Sequence, residues 1–228
     1  MDRRNFIKQC TLIVSGFTVS KGVTLLPNSL FAKDIALSNF SLNLITNNPD
    51  KAVLKVEDLI KNSNLKHKNV KFMDYTISGN HIGDIVLIRD NNLIDFRVAN
   101  DELSKNVLEI SKELGFPKNL ENPVFMKFFT ENPLLTPKYI KVFHENILIK
   151  QFEMDADIDS YAIKGSKGYV TISIKNKNVN VISSSCKHKT CIKMGSINKP
   201  GQNLVCIPNQ IRVSIDGDNE YKIDSLSY

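Results

Sequence analysis

The side chains best equipped for chemistry are Cys186, His188, Cys191 and Cys206, three thiols and an imidazole within one short stretch. Thiolate sulfur and imidazole nitrogen are the donors of tetrahedral zinc, and thiolates hold iron–sulfur clusters, so a metal or electron-transfer carrier could be built from these four residues. The same cysteines could close a disulfide instead. Three thiols allow one bond and one spare sulfur, and the spacing leaves all three pairings open. In an oxidising compartment a structural disulfide is the expected state, contributing about 2–4 kcal/mol to a small domain. Thiol–disulfide exchange between Cys186 and Cys191 is a third use, opposed by a four-residue gap where exchange proteins carry Cys-x-x-Cys. A Rieske cluster is excluded: it needs two Cys and two His, and Cys206-Ile207-Pro208-Asn209 ends in an amide where a ligand is required.

Elsewhere the signals are thin. His81 sits in a glycine-flanked turn and His144 in a hairpin, and both are expected at the surface. Asp155, Asp157 and Asp159 lack the glycine and distal glutamate of a calcium loop and read as a solvated acidic turn. Phe125, Phe128 and Phe129 are expected in a core. No Ser/His/Asp set, phosphate loop or carboxylate pair stands out, so the balance lies against an enzyme while leaving the question open. Half of the net charge of +6 belongs to the first 32 residues. The rest is spread thinly, which argues against a nucleic-acid partner.

The chain begins Met1-Asp2-Arg3-Arg4-Asn5-Phe6-Ile7-Lys8. Arg3, Arg4, Phe6 and Lys8 give it a resemblance to the twin-arginine (Tat) export signal, with Ile7 in the Leu position and Asp2 departing from the usual hydroxyl residue. A modestly apolar run from Cys10 to Pro27, broken by Lys21, leads to Leu30-Phe31-Ala32 as a cleavage site. The resemblance implies that residues 1–32 engage the Tat translocase and that the chain crosses the inner membrane already folded. It would then work in the periplasm or on the outer face of that membrane, with an uncleaved signal as an alternative anchor.

Two compositional halves follow. Residues 35–130 predict strand, helix, two strands, helix and strand. Strands are expected at Phe40–Thr46, Val70–Ser78, Asp84–Arg89 and Val124–Phe129, and the helices start at Asn48-Pro49-Asp50 and Asn100-Asp101. That order suits a ferredoxin-like α/β sandwich. Residues 131–138 are proline-bearing and read as a linker. Residues 139–228 break into short strands between Asn, Gly and Asp turns, ending with Tyr221–Ile223, and predict a small all-β domain, so the fold class is α+β.

Around the cysteines a wider pattern is legible in Cys186, Cys191, Gly195, Ile197, Gly201, Gln202, Val205, Cys206, Pro208 and Asn209. In these residues the segment 138–228 resembles NusG domain II, a bacterial β module that also occurs in exported and membrane-associated proteins. Transcription is not implied, because the polymerase-contacting part of NusG is not legible and the leader points out of the cytoplasm. The resemblance and the leader together imply an exported accessory or assembly subunit. It would bind a periplasmic or membrane-associated complex, of redox type, with no cofactor of its own. The alternative is a zinc or iron–sulfur carrier using Cys186, His188, Cys191 and Cys206.

Overall fold

The computed structural model describes residues 39–90, 92–131 and 135–219. The export-signal residues Arg3, Arg4, Phe6 and Lys8 and the strand expected at Tyr221–Ile223 lie outside them.

The first half is built on β1 (Phe40–Thr46), α1 (Pro49–Lys61), β2 (Val70–Thr76), β3 (Asn80–Gly83), β4 (Ile85–Arg89) and β5 (Asn92–Ile94). It continues with α2 (Glu102–Glu113), β6 (Lys118–Glu121) and β7 (Val124–Thr130). Both helices start as their sequences dictate. The Asn48 side chain accepts the Lys51 N–H ahead of Pro49, and Asp101 accepts the Ser104 N–H at 3.2 Å. Their apolar faces, with Val53, Val56, Leu59, Val107 and Ile110, cover one side of a five-stranded sheet ordered β2-β7-β1-β4-β5. Leu42, Leu44, Met126 and Phe128 meet them from the sheet.

The mixed α/β class stands, but one detail of the ferredoxin-like pattern is not followed. β2 pairs with β7, where Phe72 meets Phe128 and Tyr75 stacks on Phe125, while the short hairpin strand β5 takes the free edge of β4. Residues 80–83, expected as a turn, form β3 and pair with β6.

The second half holds β8 (Leu135–His144), β9 (Ile147–Glu153), β10 (Ile158–Gly165), β11 (Gly168–Lys175) and β12 (Asn178–Ser184). After these come a single helical turn α3 (Thr190–Lys193), β13 (Asn203–Cys206) and β14 (Ile211–Asn219). A four-stranded sheet, β13-β14-β8-β9, faces a three-stranded one, β10-β11-β12, across a core of Ile140, Val142, Ile172, Ile174, Val213 and Ile215. This is the all-β domain expected from the turn spacing. Residues 135–138, read as linker, already belong to β8, because β14 runs on to Asn219 and pairs with them.

The two halves share a wall. Ile77 and Phe125 of the first half are buried in the core cluster of the second. Across the wall, Lys127 Nζ donates to the Asn203 carbonyl at 2.8 Å, Gln202 Nε2 donates to Glu131 at 3.2 Å, and Asn146 exchanges two hydrogen bonds with the Leu93 backbone.

Candidate functional site

Three separate elements deliver the cysteines. Cys186 follows the end of β12, Cys191 lies on α3, and Cys206 closes β13 just before the turn into β14. Their sulfurs all lie within 4.8 Å of one another, and all three are free thiols. Cys191 and Cys206 are buried, whereas Cys186 is partly exposed. Among the described residues this is the one group of three or more Cys, His, Asp and Glu side chains close enough to share a metal ion.

The residues of the wider sequence pattern are the scaffold of this cluster. Asn209 is fully buried, and its Nδ2 donates to Cys206 Sγ at 3.3 Å. Gly165 makes room for it, since a Cβ there would stand 2.5 Å from the Asn209 carbonyl oxygen. Gly195 adopts φ +77° and ends α3 directly after Met194. The Gln202 side chain accepts the N–H groups of Asn198 and Lys199, fixing the loop that Gly201 turns before β13. Pro208 lies in the turn between β13 and β14. Ser184, which the sequence reading did not single out, has its Oγ 3.2 Å from Cys186 Sγ and 3.6 Å from Cys206 Sγ. Three serines in a row give no clue to which one turns inward; unbroken alternation from Val179 and Val181 would choose Ser183, and a bulge at Ile182 moves the inward position to Ser184.

The thiols are electrostatically unequal. The Cys191 thiol donates to Cys206, and Asn209 and Ser184 bond to the same sulfur, so the Cys206 thiol is pulled down to about 5 against the opposing effect of burial. Cys191 is correspondingly pushed up, by holding the proton it shares with Cys206 and by burial.

His188 is not in the group of ligand atoms. Its Nδ1 donates to the Asn80 carbonyl at 2.5 Å, and its ring lies 5.5 Å from that of His81. The surface expectation for His81 is overturned: it is 2% exposed on β3, with Nε2 donating to the Ser78 carbonyl and Nδ1 accepting from Thr190. Burial holds its pKa below the ordinary value. With Lys193 Nζ donating to the Ser78 carbonyl, these contacts clamp the cysteine loop onto the first half of the chain. His144 stays near the surface against Ser166, and Asp159 pairs with Lys175. Phe125, Phe128 and Phe129 are buried as expected.

The clamp leaves an open cleft of about 690 Å³ between the halves, and all three cysteines line it. Its other walls include Ile45, Ile94, Met194 and Ile207, with the Asp84–Arg97 ion pair (2.5 Å) at the rim. Three soft donors beside an open space form a geometry that can take a thiophilic ion with a coordination position left over.

No curated protein matches the chain. Solved structures do match part of it. A DUF1312 family protein from Ruminococcus gnavus is 20% identical and covers 35% of this chain and 99% of its own, with a TM-score of 0.31. The Lin0431 protein from Listeria innocua is 18% identical over 36% of this chain and 98% of its own, at 0.33. A DUF1312 family protein from Enterococcus faecalis is 22% identical over 36% and 99%, also at 0.33. The family comparison reaches further towards the N-terminus than the sequence boundary of 138 and takes in β7, the strand whose Phe125 packs into the second core. Residues 123–219, which carry all three cysteines, match the family model of NusG domain II.

Proposed function

We propose that this chain is a Tat-exported accessory protein that carries a soft metal ion on Cys186, Cys191 and Cys206. It presents the ion through the cleft to a partner complex in the periplasm or on the outer face of the inner membrane. The observation that carries the reading is the packing of three unbonded sulfurs within 4.8 Å of one another beside an open cleft. A tetrahedral metal with ~2.3 Å bonds to sulfur spaces its thiolates about 3.8 Å apart, a spacing that small side-chain rotations reach. Three thiols fall short of the four cysteines of the common iron–sulfur clusters, which favours a single ion. Folded export suits such a cargo, because the ion can be seated before the chain meets an oxidising compartment.

Purified full-length protein should contain one metal ion per chain, and replacing Cys186, Cys191 and Cys206 by Ser should remove it. A folded wild-type protein that binds no metal in its reduced form would contradict the reading. Export is tested separately: a reporter fused behind residue 40 should leave the cytoplasm, and Arg3→Lys with Arg4→Lys should retain it.

A second reading has its own support in the packing of Cys191 and Cys206, two buried sulfurs within 4.8 Å of each other. In it these two thiols form a disulfide and Cys186 stays reduced. Mass spectrometry of alkylated protein separates the readings, since only this one yields a cysteine pair that needs a reductant before it reacts.

A further inference from the structure

We infer that the ion taken by Cys186, Cys191 and Cys206 is monovalent copper, held by sulfur alone; the inference rests on the metal-binding reading proposed above. The first reason is the donor count. Zinc in a structural site closes a tetrahedron with four protein ligands, and Cys/His mixtures are its usual set. Here His188, the nitrogen that sequence spacing offers, has its Nδ1 on the Asn80 carbonyl, and neither ring nitrogen belongs to the ligand group. Asp84, one of the carboxylates lining the cleft, is held by Arg97. Three sulfurs in a trigonal plane with ~2.3 Å bonds stand about 4.0 Å apart, within the spacing these thiols already have.

The second reason is the fourth wall. Met194, 7% exposed, is three residues beyond Cys191 and lines the cleft together with the three cysteines. Thiolate is a donor type that selects Cu(I), and Met194 adds a thioether to the walls of the same cleft.

The experiment is a competition on the reduced full-length protein under anaerobic conditions. Cu(I) and Zn²⁺ are each titrated against a chromophoric chelator, and copper is then added to zinc-loaded protein. We expect one Cu(I) per chain, displacement of zinc by stoichiometric copper, and X-ray absorption with sulfur neighbours only. Cys186→Ser, at the partly exposed position, should lower Cu(I) affinity by more than the ~10–100-fold that loss of an outer partner costs, with unchanged circular dichroism. Zinc retained against stoichiometric copper, or a nitrogen neighbour in the copper spectrum, overturns the choice of ion while the metal-binding reading stands. Folded, reduced protein that binds neither ion overturns both.

Discussion

The cysteine cluster and the seam between the two sheets both bury polar atoms, and they differ in what those atoms find. In the cluster each thiol meets another thiol, and Ser184 and Asn209 complete the set around Cys206. In the seam, Lys127 and Arg212 are 4% and 2% exposed and face no carboxylate among the described residues. Lys127 has the Asn203 carbonyl, and Arg212 has a long bond of 3.4 Å to Ser214 and the ring of Phe143 at 3.8 Å. Nε and Nη2 of Arg212, Nδ2 of Asn43 and Oδ1 of Asn203 have no hydrogen-bond partner in the structure, and beside the cluster the neutral Oδ1 of Asn209 has none either. A buried charge left without a counter-charge costs several kcal/mol, whereas a buried thiol is nearly apolar. One region gathers soft donors that bond to one another; the other carries an electrostatic cost where the halves meet.

The sharpest way to break the contrast is to remove its centre. Cys206→Ser should abolish stoichiometric metal binding altogether, because it removes the sulfur on which Cys191, Ser184 and Asn209 converge; equilibrium dialysis with metal analysis checks this. The seam should respond next, to pH. Burial lowers Lys127 from 10.5 to about 8, so the folded state binds fewer protons than the unfolded chain between those values. Its penalty is fully present below pH 8, and stability should rise by on the order of 3 kcal/mol as pH climbs towards 10.5. Urea unfolding across that range measures the rise. Lys127→Met should flatten it and unfold later than the wild type at neutral pH.

A smaller effect sharpens the cluster side. Asn209→Ala removes one of the hydrogen bonds that favour the Cys206 thiolate. Ultraviolet titration of metal-free protein should show a thiolate appearing near pH 5 in the wild type and at higher pH in the variant, which also loses about 1–3 kcal/mol of stability. Smallest is His188→Ala. It deletes one bond of the clamp and should cost about 0.5–1.5 kcal/mol while leaving metal stoichiometry unchanged. Lost stoichiometry in that variant would restore the four-ligand set suggested by sequence spacing.

Those four residues show where the sequence was readable. The cysteines were visible as a group because residue type carries their chemistry, and Gly195, Gly201, Gln202, Pro208 and Asn209 because glycine, proline and side-chain amides mark fixed turns. Their mutual distance was not visible, since it depends on β12, α3 and β13 meeting in space. Likewise α1 and α2 were legible from caps and periodicity, but the β3–β6 pairing was not, because it joins segments some 40 residues apart with little alternation between apolar and polar side chains. His81 was misread for the same reason. A glycine-flanked histidine looks exposed until Thr190, more than a hundred residues later, closes over it.

The most direct measurement is a thiol census on the native protein. Peptides bearing Cys186, Cys191 and Cys206 would be alkylated natively, after a chelator, and after a reductant, then weighed. The account predicts three sulfurs shielded in the native protein, all of which react once the ion is stripped, with no reductant added. Two of them reacting only after reduction would mean a disulfide where this account places a metal.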